Sequence, residues 1–196
     1  MAIAINGNGT VTGVSVGGLP DGIVDNDMIA NTTIAEAKLA ASVHTITELD
    51  QWWMTTDKTS DGTITDLARV GYTGAASHIG TGMSQSSGIF TFPSTGLWLV
   101  SACATFNIDG SDNCNVSTQI TINNSSYAEQ IYAQDANNGT GSKIGQGFST
   151  AYLDVTSTTN VKVKFVAGSL GGSSNVAGCA DNTCRTWFMF KRIGDT

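Results

Sequence analysis

Charged residues are scarce in this sequence. Only 13% of its 196 residues are Asp, Glu, Lys or Arg, which is about half of the usual share. Sixteen acidic residues outnumber nine basic ones, so the formal net charge is −7, and the basic residues are scattered. No basic patch is available to neutralise phosphates. This excludes nucleic acid and an anionic membrane surface as expected partners.

Long apolar runs and proline are also scarce. No run approaches the roughly 18 apolar residues of a membrane-spanning helix, and the chain has two prolines. Residues 1–7 lack the basic start and apolar core of a secretory signal, so we expect a protein that stays where it is made or leaves by host lysis. Gly, Ser, Thr and Asn fill the composition instead. Such residues suit strand faces and tight turns.

The four cysteines lack metal-site spacing. No Cys-x-x-Cys is present and neither histidine lies near a cysteine, so we expect no metal site and no cofactor. Cys179 and Cys184 flank a short loop, and Cys103 and Cys114 could face each other across a hairpin. Two local disulfides are therefore one alternative, and four unpaired thiols in a reducing compartment are the other.

Catalytic patterns are missing as well. Only His44 and His78 could serve as a base for a nucleophile, and no Gly-x-Ser-x-Gly elbow is present. Residues 57–68 overlap a calcium loop but lack the acids that such a loop needs at its third and twelfth positions, while residues 107–113 stay open as an alternative calcium loop. Paired carboxylates could catalyse glycoside hydrolysis, but the candidates belong mostly to predicted turns. They are Asp109, Asp112, Asp135, Asp154 and Asp181. We expect a protein that is not an enzyme.

Residues 1–50 differ from the remainder in having almost no aromatic side chain. Residues 9–16 alternate apolar and polar, which predicts a short strand, and a capping box over residues 33–36 begins a helix of about two turns. A helix this short is marginal without a surface to pack on. We therefore predict an N-terminal anchoring arm over residues 1–50 and a head over residues 51–196. The anchoring residues expected in the arm are Val11, Val14, Val16, Leu19, Ile23, Met28, Ile29 and Leu39.

The head carries strand patterns separated by turns. Residues 97–106 alternate two faces, with Trp98 and Phe106 on one and Cys103 on the other. Further patterns predict a strand over 64–72, hairpins over 116–132 and 148–166, and a last strand over 186–193. Strands at this spacing favour an all-β, antiparallel jelly-roll sandwich.

A corner motif in the head resembles a known family. Residues 88–98 look like the "G-x-F-x-x-P-x-x-G-x-Y" corner of the complement-type and tumour-necrosis-factor-like (TNF-like) jelly-roll superfamily, with Trp98 in place of Tyr. Residues 153–163 are similar to that family's next hairpin without its Gly-Asp, and residues 186–193 look like its closing aromatic strand. The resemblance covers about residues 65–193. It implies a ten-stranded jelly roll that assembles as a tight homotrimer around aromatic and aliphatic side chains of one sheet.

The aromatic residues of the head are expected to form its core and the trimer interface. Trp52 and Trp53 point to opposite faces of an extended strand, so one is predicted to pack on the head and the other on a neighbouring chain, with core packing of both as the alternative. A sugar-stacking platform is the alternative for the later aromatics. The complete predicted set is Trp52, Trp53, Phe92, Trp98, Phe106, Tyr152, Trp187, Phe188 and Phe190.

The first part of the chain is similar in style to short virion proteins of tailed bacteriophages, on the evidence of residues 9–22 and 27–40. Such proteins attach by an N-terminal arm and display a head. We therefore expect a trimeric capsid decoration, or cement, protein on the capsid surface of a virion, with the major capsid protein as partner. The alternative is a receptor-binding tip of a short phage fibre that binds a host surface glycan. That alternative predicts aromatic side chains in the head loops, where the sequence has no Trp or Tyr.

Overall fold

A computed structural model of the chain describes residues 46–71, 74, 76–179 and 183–196. The chain divides into two units, Met1–Thr45 and Ile46–Thr196, and all described residues belong to the second. The predicted strand at 9–16, the predicted short helix and the eight anchoring residues of the arm therefore lie outside the described residues. The first strand begins at Leu49, so the sheet includes two residues that the sequence assigned to the arm.

Every regular element of the described residues is a β-strand, and none of those residues forms a helix long and apolar enough to cross a membrane. In chain order the strands are β1 (Leu49–Met54), β2 (Gly62–Thr63), β3 (Leu67–Arg69), β4 (His78–Ile79), β5 (Ser84–Ser86), β6 (Ile89–Thr91), β7 (Gly96–Ile108), β8 (Asn113–Thr121), β9 (Ala128–Ala136), β10 (Lys143–Val155), β11 (Lys162–Gly168), β12 (Asn175–Val176) and β13 (Trp187–Gly194).

Two antiparallel sheets form a sandwich. The first sheet has the order β10-β7-β13-β1-β3, with β12 paired to β7 and β4 paired to β1. The second sheet has the order β5-β6-β11-β8-β9, with β2 paired to β11. Apart from β5 with β6 and β8 with β9, the paired strands are distant in sequence, because the chain crosses between the two sheets as in a jelly roll. The predicted all-β antiparallel jelly roll is confirmed.

The core lies between the sheets and is rich in aromatic rings. Strand β7 alternates as predicted, with Trp98 and Phe106 buried inside. Six of the nine residues predicted for the core or the trimer interface are core residues with at most 8% exposure; they are Trp52, Phe92, Trp98, Phe106, Phe188 and Phe190. Five of them lie on inward positions of their strands, and Phe92 directly follows β6.

The predicted corner over residues 88–98 is a tight turn between β6 and β7. Gly96 has a φ of 135°, which L side chains rarely adopt. A Cβ there would lie 2.6 Å from the carbonyl oxygen of Gly194. The corner also places the rings of Phe92 and Trp98 in contact, with centroids 5.1 Å apart. Glycine at position 96 thus permits the close approach of the chain end to the corner.

One predicted hairpin is wrong, and one predicted strand is shorter than expected. Residues 148–166 do not form a hairpin, because β10 belongs to the first sheet and β11 to the second. Of the strand predicted over 64–72, only Leu67–Arg69 (β3) is a strand among the described residues. The hairpin over 116–132 is confirmed by the pairing of β8 with β9. Alternation of apolar residues identified the strands, but it could not say which sheet each strand joins.

Candidate interaction surface

The outer face of the first sheet is the surface that points away from the core. It is built from the alternate residues of β7 that do not enter the core, beginning with Leu97, and from the residues paired with them. Directly opposed residues lie on the same face of a sheet. One row across the outer face therefore consists of Phe148, Cys103, Trp187 and Trp53. Another row consists of Tyr152, Leu99, Lys191 and Leu49.

The most exposed apolar side chains of the outer face lie on β10. Ile144 is 75% exposed, Phe148 is 62% exposed and Tyr152 is 77% exposed, and all three project from the same side of that edge strand. The ring of Phe148 contacts the ring of Trp187, with centroids 6.2 Å apart. Contiguous exposed apolar side chains of this kind mark sites of protein association. The outer face is therefore a candidate interaction surface.

A row with two hydroxyl groups lies between these two rows. The hydroxyl groups of Ser101 and Thr150, which are paired on β7 and β10, form a hydrogen bond of 3.0 Å. Met189 and Gln51 continue this row on β13 and β1. The bond uses one of the two hydroxyl protons, so a partner that covers this row has to offer an acceptor to the other.

Glycine at position 147 shapes the edge that carries these aromatics. A Cβ on Gly147 would lie 2.3 Å from the backbone nitrogen of Gln134 and 2.7 Å from the carbonyl carbon of Ala133, both on β9. The edge strands of the two sheets thus touch through their backbones, which closes the sandwich. Neighbouring residues of a strand point to opposite sides. Since position 147 faces inward, the side chain of Phe148 faces outward.

A groove lies around this edge, towards the second sheet. It has a volume of about 320 Å³, lies between the ends of β8, β9 and β10, and has Ile122 and Tyr152 among its lining residues. Ile122 is 77% exposed. The outer face and the groove therefore share Tyr152, and the groove is lined by polar side chains such as Gln130 and Asp154 as well as by apolar ones.

The sequence located only part of this surface. Trp53, Tyr152 and Trp187 of the predicted set lie on the outer face, whereas the other six residues of the set are buried. Phe148 and Ile144 were missed, although residues 144–152 alternate larger side chains with small ones on the opposite side. That signal was available in the sequence. Glycine and serine at the inward positions obscured it, since a strand facing a core usually carries larger apolar residues.

A buried carboxylate holds the start of the head. Asp50 is 1% exposed and accepts hydrogen bonds from the indole N–H of Trp52 at 2.9 Å and from the backbone N–H of Met83 at 2.7 Å. Arg69 forms an ion pair with it at 3.2 Å, and the guanidinium also lies over the Trp52 ring at 4.9 Å from its centroid. A buried charge is tolerated when it is paired and hydrogen-bonded. No local sequence pattern predicts this network, because Asp50, Arg69 and Met83 are brought together only by the pairing of their segments.

The structure decides between the cysteine alternatives for one pair. All four cysteines are free thiols. Cys103 lies on the outer face of the first sheet, whereas Cys114 is fully buried in the core on β8 of the second sheet. The predicted pairing of Cys103 with Cys114 is therefore wrong, because their strands do not form a hairpin. Cys179 and Cys184 lie near each other, because the Cys179 sulfur accepts a hydrogen bond of 2.9 Å from the backbone N–H of Arg185, the residue that follows Cys184.

The loop acids tie loops to one another. Asp57 accepts a hydrogen bond from the backbone N–H of Gly178 at 2.8 Å, and Asp112 accepts one from that of Gly171 at 2.8 Å. The Ser174 hydroxyl, together with backbone N–H groups, lowers the pKa of Asp112. Asp135 lies 2.7 Å from the Lys143 ammonium, which lowers the pKa of that carboxyl.

The other candidates for catalysis or metal binding are dispersed. Among the described residues no group of three His, Cys, Asp or Glu side chains is placed to hold a metal ion. His78 lies on β4, with its Nδ1 atom 3.0 Å from the Ser77 hydroxyl. Asp154 is exposed on β10. His44 and Asp181 lie outside the described residues.

A polar cleft lies at the loop end of the sandwich. It has a volume of about 480 Å³, and Asp109, Ser142, Lys143 and Ile144 are among its lining residues. The Ser142 hydroxyl donates a hydrogen bond of 3.0 Å to the Asp109 carboxylate. No aromatic side chain is among the described residues that line this cleft, so the cleft lacks the stacking platform that many sugar sites use.

No family model and no curated protein matches the sequence. Among solved structures, the Eiger TNF of S. frugiperda is 12% identical with a TM-score of 0.55, over 76% of this chain and 95% of that one. Murine APRIL at pH 5.0 is 9% identical with a TM-score of 0.56, over 74% of this chain and 98% of that one. Identities this low indicate the fold alone. The head has the TNF-like jelly-roll fold that its corner motif predicted.

Proposed function

We propose that this protein is a non-catalytic structural protein of a virion. In this proposal it is a homotrimer that binds the capsid exterior through residues 1–50 and displays residues 51–196 as a head. The observation that carries the proposal is the aromatic outer face of the first sheet, with Phe148 and Tyr152 exposed on its edge strand. Burying an aromatic side chain stabilises an association by about 1.5–3 kcal/mol.

The position of the exposed aromatics favours a ring over a two-fold dimer. They are concentrated on β10 at one edge of the sheet, while the middle of the outer face carries half-buried side chains such as Trp187 and Leu99. An edge of one protomer that packs on the middle of the next makes a contact between unlike surfaces. Such contacts close into rings when the rotation permits, and the family resemblance implies a ring of three.

The anchoring role of the arm is supported by the sequence. Residues 9–22 and 27–40 are similar to the arms of tailed-phage virion proteins, and the arm has too few large apolar residues to fold without a surface. The chain has a net charge of −7, and an acidic chain is repelled by nucleic acid and anionic lipid. We therefore propose a protein partner for the arm, namely the major capsid protein.

Self-association is tested by light scattering of the full chain during gel filtration. We expect a particle of three times the chain mass of 20.3 kDa. The double variant Phe148→Ser, Tyr152→Ser is expected to be a folded monomer. Tyr132→Ser is the matched control, since Tyr132 is an aromatic residue 43% exposed on β9 of the second sheet. A monomeric unaltered chain, or a double variant that remains trimeric, would contradict the proposal.

The virion role is tested with purified shells that lack the protein. The full chain is expected to bind such shells, whereas a variant without residues 1–45 is expected to form the same oligomer and fail to bind. A copy number that matches the capsomers supports decoration, and one that matches the few fibres of a particle contradicts it. If the shortened variant unfolds, the division into arm and head is wrong.

The second candidate is the receptor-binding tip of a short fibre. The polar cleft favours it, because Asp109, Ser142 and Lys143 provide acceptors and donors suited to a sugar. A glycan array probed with the full chain tests this function. Binding that Asp109→Ala abolishes would move the assignment from decoration to host recognition.

A further inference from the structure

Two half-buried thiols lie beside the start of β13. The backbone N–H of Cys179 donates a 2.7 Å hydrogen bond to the carbonyl oxygen of Met54 at the end of β1. On the other side, the Thr105 hydroxyl donates to the carbonyl oxygen of Arg185 at 2.9 Å, which fixes the residue next to Cys184. The backbone around both cysteines is therefore anchored to the first sheet, and the Sγ atom of Cys179 lies 2.9 Å from the backbone nitrogen of Arg185, the residue bonded to Cys184.

The two thiols have different surroundings. The Sγ atom of Cys179 accepts a hydrogen bond from the backbone N–H of Arg185 at 2.9 Å. The neighbouring Cys184 thiol is the main cause that lowers the pKa of Cys179 to about 6, and this backbone N–H and the Arg185 charge contribute. The pKa of Cys184 is raised, chiefly by Cys179. Cys179 is therefore the thiol of the pair that loses its proton first.

The remaining cysteines lack these features. Cys103 is 6% exposed and burial raises the pKa of its thiol. Cys114 is fully buried, and burial is the main reason that its pKa is raised to about 11. Since the thiolate is the reactive form and must be accessible, these two cysteines are unreactive controls within the same chain.

We propose that Cys179 and Cys184 form a thiol–disulfide exchange site for small-molecule disulfides, in which Cys179 attacks and Cys184 resolves. The Cys179 thiolate bonds to one sulfur of the small disulfide, whose S–S bond breaks and releases one thiolate. That thiolate takes the Cys184 proton. The Cys184 sulfur then attacks the Cys179 sulfur and expels the second half as a thiolate. Two protein thiols become one disulfide, and the small disulfide is reduced to two thiols.

The site is accessible enough for this chemistry. Cys179 and Cys184 are both half-buried, and Arg185 beside them is exposed. The new bond would tie Cys179, which follows β12, to the residue three positions before β13. This site does not depend on the proposed virion function, because it uses only contacts within one chain.

The experiment uses the full chain and Ellman's reagent, an aromatic disulfide whose released thiolate absorbs light. The unaltered protein is expected to release two equivalents, and peptide mapping is expected to find the bond between Cys179 and Cys184. At pH 6 the first release should be about tenfold faster than from the thiols of the unfolded chain, since a larger thiolate fraction outweighs its lower nucleophilicity. Its rate should reach half-maximum near pH 6.

Single variants separate the two roles. Cys184→Ser is expected to release one rapid equivalent and to retain the mixed disulfide on Cys179. The pH at which its rate is half-maximal should rise, because the thiol that lowers the pKa of Cys179 is lost. Cys179→Ser should lose the rapid phase, and Cys103→Ser should keep both equivalents. A rapid phase that survives in Cys179→Ser, or a bond between Cys103 and Cys184 in the unaltered protein, would overturn the assignment.

Discussion

The rings of Phe165 and Phe188 stack across the interior of the sandwich, with centroids 3.8 Å apart and planes 16° from parallel. Phe165 belongs to β11 of the second sheet and Phe188 to β13 of the first. Both rings are fully buried. This stack therefore packs the two sheets together at their centre. The outer face lies on the opposite side of β13 from the Phe188 ring.

Truncating this stack should destabilise the head. Phe188→Ala is expected to lower the free energy of unfolding by about 3–5 kcal/mol, because it removes a buried ring and leaves a cavity. Urea unfolding followed by circular dichroism measures the change. Phe148→Ala removes the same ring from an outward position that is 62% exposed and, measured in the monomer, should change stability far less. Equal losses for the two variants would contradict the assignment of their faces.

Removing the buried carboxylate at position 50 should also destabilise the head. Asp50→Ala leaves the N–H groups of Trp52 and Met83 without their acceptor, whereas Arg69 is one-third exposed and keeps its bond to the carbonyl oxygen of Met83. We expect a loss of about 1–3 kcal/mol in the free energy of unfolding, as for other buried donors left unsatisfied. Asp154→Ala, which alters an exposed carboxylate of β10, is the control and should be nearly neutral. Tryptophan fluorescence during denaturation reports both, and a neutral Asp50→Ala would refute the network.

A methyl group at position 147 should open the edge between the sheets. In Gly147→Ala the new Cβ would meet backbone atoms of β9 that cannot move aside as a side chain can. Overpacking of this kind costs about 1–3 kcal/mol, and the displaced β10 should also weaken self-association. Thermal unfolding and light scattering measure the two effects. Gly141→Ala, where a Cβ would have no neighbour within 4 Å, should behave as the unaltered chain does.

Acid should weaken the head partly through Asp112. The Ser174 hydroxyl and the backbone N–H groups of Gly171 and Asn113 lower the pKa of this carboxyl in the folded state. Its stabilisation is therefore complete above the unfolded pKa of about 4 and is lost as the pH falls through the lower folded pKa. Asp112→Asn should make the decline of the urea midpoint between pH 6 and pH 2 shallower. An unchanged decline would show that these hydrogen bonds do not favour the charged form.

The strands of the head could be predicted because their signals are local. The alternation of Trp98 and Phe106 with smaller residues on β7, and the turn residues between β8 and β9, depend only on neighbours in the chain. The exchange site was predicted in part, since the spacing of Cys179 and Cys184 permits a local bond. Its asymmetry depends on the Arg185 N–H and could not be predicted.

Sequence alone determined the strand periodicity, the corner glycine at position 96 and the absence of a basic surface, because each follows from residue type and spacing. Only the tertiary structure decided that β10 pairs with β7 and not with β11, and that Cys103 and Cys114 lie on different sheets. It also decided that Trp98 is core whereas Trp187 faces outward. Alternation tells which residues share a side of a strand, but long-range pairing and packing select the side that meets the other sheet.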